Sequence, residues 1–272
     1  MIKTDSHIHT SFSSDSDASM ESMILAGIEK GLDSMCFTEH FDPCFPITEE
    51  DLDFLLDFDA YENTFHSLKE RYGDQIDLYH GVELGVQNHI QKECMEFFNT
   101  YGSRYDFIIN STHVIDNQDP YYGTYFKSFQ TPKEAITHYY EVLYENLKVF
   151  HDYQSVGHLD YLCRYEPGER TPFLYKDYSE IIDAILSHLI RHDKALEINT
   201  AGWKYGMTDP NPNRQIISRY RELGGKMITI GSDGHKPEHL AYDFHHLPEF
   251  LKSLGFDSYL YYKKKQPQEI PL

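Results

Sequence analysis

Short apolar segments alternate with amphipathic segments along the whole chain. Residues 34–38, 78–82, 107–110 and 227–230 form apolar runs that predict buried strands. Between these runs, apolar residues recur at the three- and four-residue spacing of helices. About seven strand–helix units of this kind imply a parallel sheet, and at this chain length they fit a closed barrel better than an open sheet. We therefore expect one α/β domain that spans residues 1–272.

Local signals mark the beginnings of two helices and one unusual connection. Ser19 precedes a helical pattern as an N-cap. Thr131 and Glu134 have the spacing of a capping box, with Pro132 at the first helical position. The segment from Phe41 to Phe58 is irregular, acidic and contains prolines. A connection of that length is a candidate lid or binding loop.

The composition excludes several classes of protein. A net charge of −20 opposes binding to a nucleic-acid backbone, which requires a basic surface. The four cysteines form no Cys-x-x-Cys pair, so neither a disulfide framework nor a zinc ribbon is expected. No apolar run approaches the length of a membrane span, and no leader segment precedes the first strand. We expect a cytoplasmic protein without membrane or nucleic-acid partners.

Side chains that can bind metals follow the predicted strands where each strand ends. His7 and His9 are two residues apart, so on a strand both imidazoles face the same side. The active sites of (β/α) barrels are built at this end, from residues that different strands contribute. Such residues on most of the strands indicate a metal site rather than chance. Its predicted ligands are His7, His9, His40, Glu83, His113, His158, Asp233 and His235, with Asp15 as a further oxygen ligand.

The remaining histidines are expected to lie outside this site. One group falls within helices and is predicted to be at the surface or hydrogen-bonded: His66, His138, His188 and His192. His80 precedes a strand end and is predicted to pack in the core. The others fall in loops: His89, His151, His239, His245 and His246.

The predicted ligands exceed what one ion requires, and they suit two or three ions a few ångströms apart. Such sites favour in-line displacement at phosphorus, because the ions bind phosphate oxygens and a bridging water becomes a hydroxide nucleophile at neutral pH. Phosphoryl transfer also requires positive side chains near the equatorial oxygens. Arg164 and Lys204 each follow a strand end by a few residues and are the candidates for that role.

With these residues in place, the sequence resembles the PHP (polymerase and histidinol phosphatase) superfamily over essentially the whole chain. The similar motifs are 5–10 (DSHIHT), 38–40 (TEH), 81–83 (GVE), 111–113 (STH), 157–158 (GH) and 231–235 (GSDGH). Segments 157–161 with Arg164, and 196–202, are similar to the monofunctional histidinol-phosphatase branch. The resemblance implies a distorted (β/α)7 TIM-like barrel, with the metal site at the C-terminal ends of the strands.

The resemblance also implies three divalent ions, of Zn, Fe or Mn, and assigns their ligands. The chain departs from the family at two positions. Asp15 stands where relatives often carry His, and Lys204 stands where we expect Arg, so a point charge replaces a bidentate fork. The implied ligand sets are His7, His9, Glu83 and Asp233 for the first ion, Asp15, His40 and His235 for the second, and Glu83, His113 and His158 for the third.

The function implied by the resemblance is hydrolysis of L-histidinol phosphate, a small phosphate monoester, to L-histidinol and phosphate in histidine biosynthesis. Two alternatives are a PHP phosphoesterase for another small monoester or nucleotide, and a non-catalytic metal-binding module. We expect a monomer or a homodimer. The predicted catalytic residues are Asp233, His235 and Arg164, and the predicted substrate-binding residues are Arg164, Lys204, Asp160 and Asp42.

The positive charge of histidinol favours an acidic and aromatic pocket. The loop between Phe41 and Phe58 is our hypothesis for its source, through Asp42, Phe45, Glu49 and Glu50. Asp160 and His235 are alternative candidates for the acid that protonates the leaving group.

Overall fold

The computed structural model describes residues 2–46, 53–168 and 173–272. Within them the strands form one sheet in chain order, and each is parallel to the next except for the last pair. The strands are β1 (Thr4–Ile8), β2 (Ser34–Phe41), β3 (Asp77–Gly85), β4 (Phe107–Ser111), β5 (Ser155–Val156), β6 (Ala195–Asn199), β7 (Ile228–Gly231), β8 (Ser258–Lys263) and β9 (Gln266–Pro271).

The sheet closes between its first strand and the segment that follows β7. Ile8 and Gly234 form a parallel bridge. Asp233 N donates to His7 O at 2.9 Å, and His9 N donates to Gly234 O at 3.0 Å. The ring is irregular, because β5 has only two residues and the register of β1 shifts between Asp5 and Ile8. The predicted distorted barrel is confirmed.

Helices cover the outside of this barrel. Their buried residues recur at helical spacing, such as Tyr61, Phe65 and Tyr72 in the second helix. No helix among the described residues is long and apolar enough to span a membrane. The helices are α1 (Met20–Glu29), α2 (Phe58–Tyr72), α3 (Gln91–Tyr101), α4 (Pro132–Val149), α5 (Ser179–Arg191), α6 (Ala201–Lys204), α7 (Arg214–Glu222) and α8 (Leu247–Ser253).

The predicted helix starts are confirmed. The Ser19 hydroxyl accepts a hydrogen bond from Ser22 N at 3.1 Å and caps α1. The Thr131 hydroxyl accepts from Glu134 N at 3.2 Å and caps α4. The Glu134 carboxylate accepts from Gln130 N at 3.1 Å, one residue earlier than a standard capping box.

A separate apolar cluster fills the amino end of the barrel. Cys36 is four residues before His40, and Tyr79 is four residues before Glu83, so each pair shares the interior face of its strand. Tyr262 of β8 belongs to the same cluster. The cluster therefore closes the floor beneath the metal-capable residues and leaves the carboxyl end open. Its members are Cys36, Tyr79, Phe107, Ile109, Ala195 and Tyr262.

Candidate metal centre

The predicted ligands converge at the carboxyl end of the barrel. His7, His40 and Glu83 lie on β1, β2 and β3. Others lie one to four residues beyond a strand, namely His9, His113, His158, Asp233 and His235. All except His235 and Asp15 are buried, and Asp15 is exposed in the loop after β1.

Glu83 lies at the centre and presents one oxygen to each of two histidine groups. Its Oε2 lies 3.2 Å from His7 Nε2, 3.3 Å from His9 Nε2 and 3.1 Å from His40 Nδ1. Ligand atoms that share one ion, at bonds of about 2.1 Å, lie roughly 3 to 3.5 Å apart. The spacing around Oε2 therefore fits an ion with this oxygen as a ligand.

The other oxygen of Glu83 faces the opposite group. Its Oε1 lies 3.1 Å from His113 Nε2 and 2.9 Å from His158 Nε2, and these two nitrogens are 3.4 Å apart. The Ser111 hydroxyl donates to the same oxygen at 2.6 Å. One carboxylate thus connects two candidate ion positions.

Asp233 completes the group around His7 and His9. The two Nε2 atoms are 3.0 Å apart, and Asp233 Oδ1 lies 3.9 and 3.7 Å from them. Asp233 has a φ of 54°, a left-handed conformation that Asp tolerates better than most residues. The short distance between the Nε2 atoms of His7 and His9 agrees with the prediction that both side chains face the same side of the strand.

A third group lies nearer to solvent. Asp15 Oδ2 lies 3.1 Å from His235 Nε2 and 3.6 Å from His40 Nε2. The His9 ring stacks on both imidazoles, with ring centroids 4.1 Å from His40 and 4.2 Å from His235. The structure brings together the three side chains predicted for the second ion.

Supporting hydrogen bonds determine which nitrogen is presented by three of the histidines. Glu197 Oε1 accepts from His7 Nδ1 at 2.5 Å, and Asp42 Oδ1 accepts from His113 Nδ1 at 2.8 Å. Backbone carbonyl Asp233 O accepts from His235 Nδ1 at 3.1 Å. When Nδ1 carries the proton, the Nε2 lone pair is available to a metal. These contacts orient the imidazoles toward the candidate ion positions.

The carboxylates of the site are held in their ionised form. Burial acts to raise the pKa of Glu83, but the facing imidazoles of His7, His113 and His40 hold it well below its usual value. Burial acts likewise on Asp233, whose pKa is held well below its usual value by His7 and Arg164. Ionised carboxylates are the form that binds cations.

Two buried atoms without hydrogen bonds support the assignment of a metal site. Glu83 Oε2 and His235 Nε2 are buried and form no hydrogen bond within the described residues. Buried polar atoms normally have partners, and both of these point into the groups described above. The donor set of imidazole nitrogens and carboxylate oxygens is also suited to Zn, Fe or Mn. The residues present therefore fit the implied ions.

Arg164 and Lys204 are both beside Asp233. Arg164 Nη1 donates to Asp233 Oδ2 at 3.0 Å, and Lys204 Nζ donates to the Asp233 carbonyl at 3.1 Å. Arg164 is held further by Asn211 Oδ1 at 2.8 Å and Asn199 Oδ1 at 3.2 Å. Both cations line the cavity beside the candidate metal centre.

The cavity above the metal centre has a volume of about 590 Å³. Its lining combines the candidate ligands with aromatic side chains, which include Phe45 and Phe54 from the predicted lid. These two rings pack with centroids 4.6 Å apart, and Phe54 meets the edge of His40 at 5.3 Å. Glu49 and Glu50 of the same loop lie outside the described residues.

The other predicted substrate residues have different surroundings. Asp42 lines the cavity, but its Oδ1 accepts from His113. Asp160 is fully buried and is not in the described lining. It accepts hydrogen bonds from Asn211 Nδ2 and from Asn213 N, the latter at 3.0 Å. Both aspartates are therefore placed to hold other site residues.

Sequence reasoning missed several supporting residues. Glu197, Asn199 and Asn211 hold His7 and Arg164, and the sequence motifs assign no role to any of them. Glu197 and Asn199 have the parity of interior residues on β6, which was a usable signal. Asn211 lies in a loop and gave no such signal.

A protein family and several known proteins are similar to this chain. The PHP domain family matches residues 5–201. The histidinol-phosphatase of Lactococcus lactis is 32% identical over 256 residues, which cover 94% of this chain and 93% of that protein. A protein of Clostridium acetobutylicum named as a probable histidinol-phosphatase is 31% identical over 240 residues, with 88% and 89% coverage.

A solved structure agrees with these relatives. The crystal structure of histidinol phosphate phosphatase from Lactococcus lactis, complexed with zinc, L-histidinol and phosphate, matches with a TM-score of 0.87. The two chains are 30% identical, and the match covers 98% of each. The predicted resemblance is confirmed: the chain belongs to the PHP domain family.

Proposed function

We propose that this protein hydrolyses L-histidinol phosphate to L-histidinol and phosphate, a step of histidine biosynthesis. The observation that carries this proposal is the position of Glu83, whose two oxygens face separate histidine groups beside buried Arg164 in one cavity. The Lactococcus lactis relative, which holds zinc, L-histidinol and phosphate, supports the choice of substrate.

Three divalent ions of Zn, Fe or Mn are part of this proposal. The ligands are those that the family resemblance assigns, and the distances around Glu83 and Asp15 support them. When bound, ions in such a site polarise phosphoryl oxygens and lower the pKa of a coordinated water. Zinc is the ion found in the relative.

The protein's own side chains bind and orient the phosphate. Arg164 and Lys204 neutralise its equatorial oxygens, and the Asn199 and Asn211 oxygens hold the Arg164 guanidinium in a fixed plane. Asp233 connects Arg164 to the metal centre, because its Oδ2 accepts from Arg164 while its Oδ1 faces His7.

Neither predicted candidate is free to act as the leaving-group acid. The Nε2 of His235 is assigned to the second ion, and its Nδ1 donates to the Asp233 carbonyl at 3.1 Å. Asp160 is held behind Arg164 through Asn211, so we assign it to positioning the guanidinium. Asp42 positions His113 in the same way. The cytoplasmic location, the single domain and the monomeric or homodimeric state stay predictions from the sequence.

The alternatives differ in what they require of this cavity. A phosphoesterase for another small monoester would use the same centre with a different leaving group. A non-catalytic metal-binding module would have no use for Arg164 and Lys204 beside the ligands. A nuclease for long nucleic acid is opposed by the net charge of −20.

Phosphate release from a panel of monoesters tests the proposal. The panel contains L-histidinol phosphate, p-nitrophenyl phosphate, a mononucleotide and a short oligonucleotide, each with metal-loaded and with chelated protein. We expect a strong preference for L-histidinol phosphate that chelation abolishes and that added zinc or manganese restores. Equal and slow turnover of the whole panel would contradict the substrate assignment, and no turnover with metals bound would favour the non-catalytic module.

A further inference from the structure

The carboxylates that line the cavity differ in how they are neutralised. Asp15 contacts His235 at 3.1 Å, Asp42 contacts His113 at 2.8 Å, and Asp233 contacts Arg164 at 3.0 Å. Asp17 and Asp119 line the same cavity, and among the described residues neither forms an ion pair with Lys, Arg or His; Asp17 is exposed, whereas Asp119 is partly buried. The carboxylate of Asp119 is thus available to a cation that the protein does not supply.

Asp119 is held in place by the backbone that follows it. Its Oδ1 accepts a hydrogen bond from Tyr121 N at 2.9 Å and caps a short 3₁₀ turn at Pro120–Tyr122. Burial raises the pKa of Asp119 to about 6, because a carboxylate withdrawn from water is costly to ionise. A cation bound beside it would relieve that cost.

An aromatic wall runs from the metal centre past Asp119 to the rim of the cavity. The His113 ring lies 5.4 Å from Tyr161, and Tyr161 lies 5.0 Å from Tyr165. Tyr121 continues the wall 6.0 Å from Tyr165 and is itself exposed at the rim. The faces of such rings attract cations and stack on flat groups.

We infer that Asp119, framed by Tyr121 and Tyr165, binds the positively charged end of the histidinol moiety and so determines specificity. This inference rests on the proposed function, because histidinol phosphate carries a protonated amine on the leaving group. It places recognition of the charge in the loop after β4. The predicted lid then contributes apolar contacts through Phe45 and Phe54, which line the same cavity.

The test compares Asp119→Asn with wild type on two substrates. Asn keeps the size of the side chain and an oxygen that can accept from Tyr121 N, so the turn is retained. We expect the KM for L-histidinol phosphate to rise about ten- to a hundredfold, the range for losing a hydrogen bond to a charged group. The ratio of kcat/KM for L-histidinol phosphate to that for p-nitrophenyl phosphate, which has no positive leaving group, should fall by the same factor.

Product inhibition supplies a second readout and Asp116→Asn a matched control. Inhibition by L-histidinol should weaken in Asp119→Asn by the same factor as KM, whereas inhibition by inorganic phosphate should not. Asp116 lies in the same loop, is exposed, and pairs with His138 at 2.6 Å, so its substitution should leave the substrate ratio unchanged.

The outcomes separate this inference from the proposed function. A wild-type enzyme that prefers L-histidinol phosphate, with an Asp119→Asn variant of unchanged ratio, would overturn the inference alone. An equal loss on both substrates would also overturn it, since Asp119 would then act on the site as a whole. A wild-type enzyme without the preference would overturn the proposed function and the inference together.

Discussion

Glu197 holds two parts of the metal centre with one carboxylate. Its Oε1 accepts from His7 Nδ1 at 2.5 Å, and its Oε2 accepts from the backbone N–H of His158 at 2.6 Å. Asn199 Nδ2 also donates to Oε2 at 3.1 Å, which links this carboxylate to the residues around Arg164. A residue that binds no ion thereby orients a candidate ligand on β1 and the backbone of another after β5.

We predict that Glu197→Gln weakens metal binding about ten- to a hundredfold, which is typical when a partner of a ligating histidine is replaced. The amide keeps the shape of the side chain, but it offers only one acceptor oxygen where Glu197 uses two. Metal content after dialysis against a buffered zinc series checks this. Glu70→Gln is a control, because Glu70 lies on the exposed face of α2. Equal zinc affinity in both variants would contradict the role of Glu197.

The positions of the candidate ligands could be predicted from sequence, whereas the hydrogen bonds that support them could not. His7, Glu83 and Asp233 have a ligating side chain and a place at a strand end, and both properties are local. The contact between His7 and Glu197 joins residues 190 positions apart and depends on the closed ring of strands. Asp42 shows the same limit. The sequence indicates a carboxylate in the loop after β2, but it does not indicate the hydrogen bond of this carboxylate to His113.

At the scale of elements, the site depends on the close approach of β1, β6 and β7. Gly231 ends β7 with its α-carbon against the first strand. A Cβ there would lie 2.7 Å from Glu197 Oε1 and closer still to His7 Cβ. Only glycine allows β7 to approach closely enough for Asp233 N to donate to His7 O.

Gly231→Ala should therefore disturb the metal centre as well as the fold. We expect a loss of about 1 to 3 kcal/mol in the free energy of unfolding, as for other overpacked cores, together with lower zinc content. Urea unfolding and metal analysis of the same samples measure the two effects. Gly27→Ala is the matched control, because its Cβ would crowd Met35 on the outer face of the barrel. Loss of stability in both variants with full zinc content in both would contradict the prediction.

Most elements were predictable, and the exceptions have a physical cause. The strands and long helices show clear periodicity, and Ser19 and Thr131 cap their helices as expected. The turn that carries Arg164 is a 3₁₀ segment at Tyr161–Tyr165, too short to show a period. Its conformation is held by tertiary contacts, such as Arg164 with Asn211.

At the scale of the molecule, two histidines far from the metal centre are buried. His80 packs among Tyr61, Phe65 and Tyr105, as predicted, and burial lowers its pKa to about 4. His188 was predicted to be at the surface or hydrogen-bonded, but it is 4% exposed and its Nε2 has no partner among the described residues. The burial of His188 could not be predicted from its place on α5. The rings of His151 and His192 cover it, and helical periodicity does not indicate such contacts.

Burial, followed by the neighbouring His192 and His151, lowers the pKa of His188 to about 4. The unfolded chain takes up this proton near pH 6.5, so the contribution of His188 to stability is present above that pH and is lost as the pH falls toward 4. Relative to a His188→Leu variant, wild type should lose about 1 to 3 kcal/mol more free energy of unfolding between pH 7.5 and 4.5. Urea unfolding of both proteins at both pH values measures this difference. Metal release in acid affects both proteins alike, so it cancels in the comparison. His66→Leu, an exposed position on α2, should behave as wild type. If His188→Leu lost as much stability in acid as wild type, the proton uptake that destabilises the fold would have to occur elsewhere.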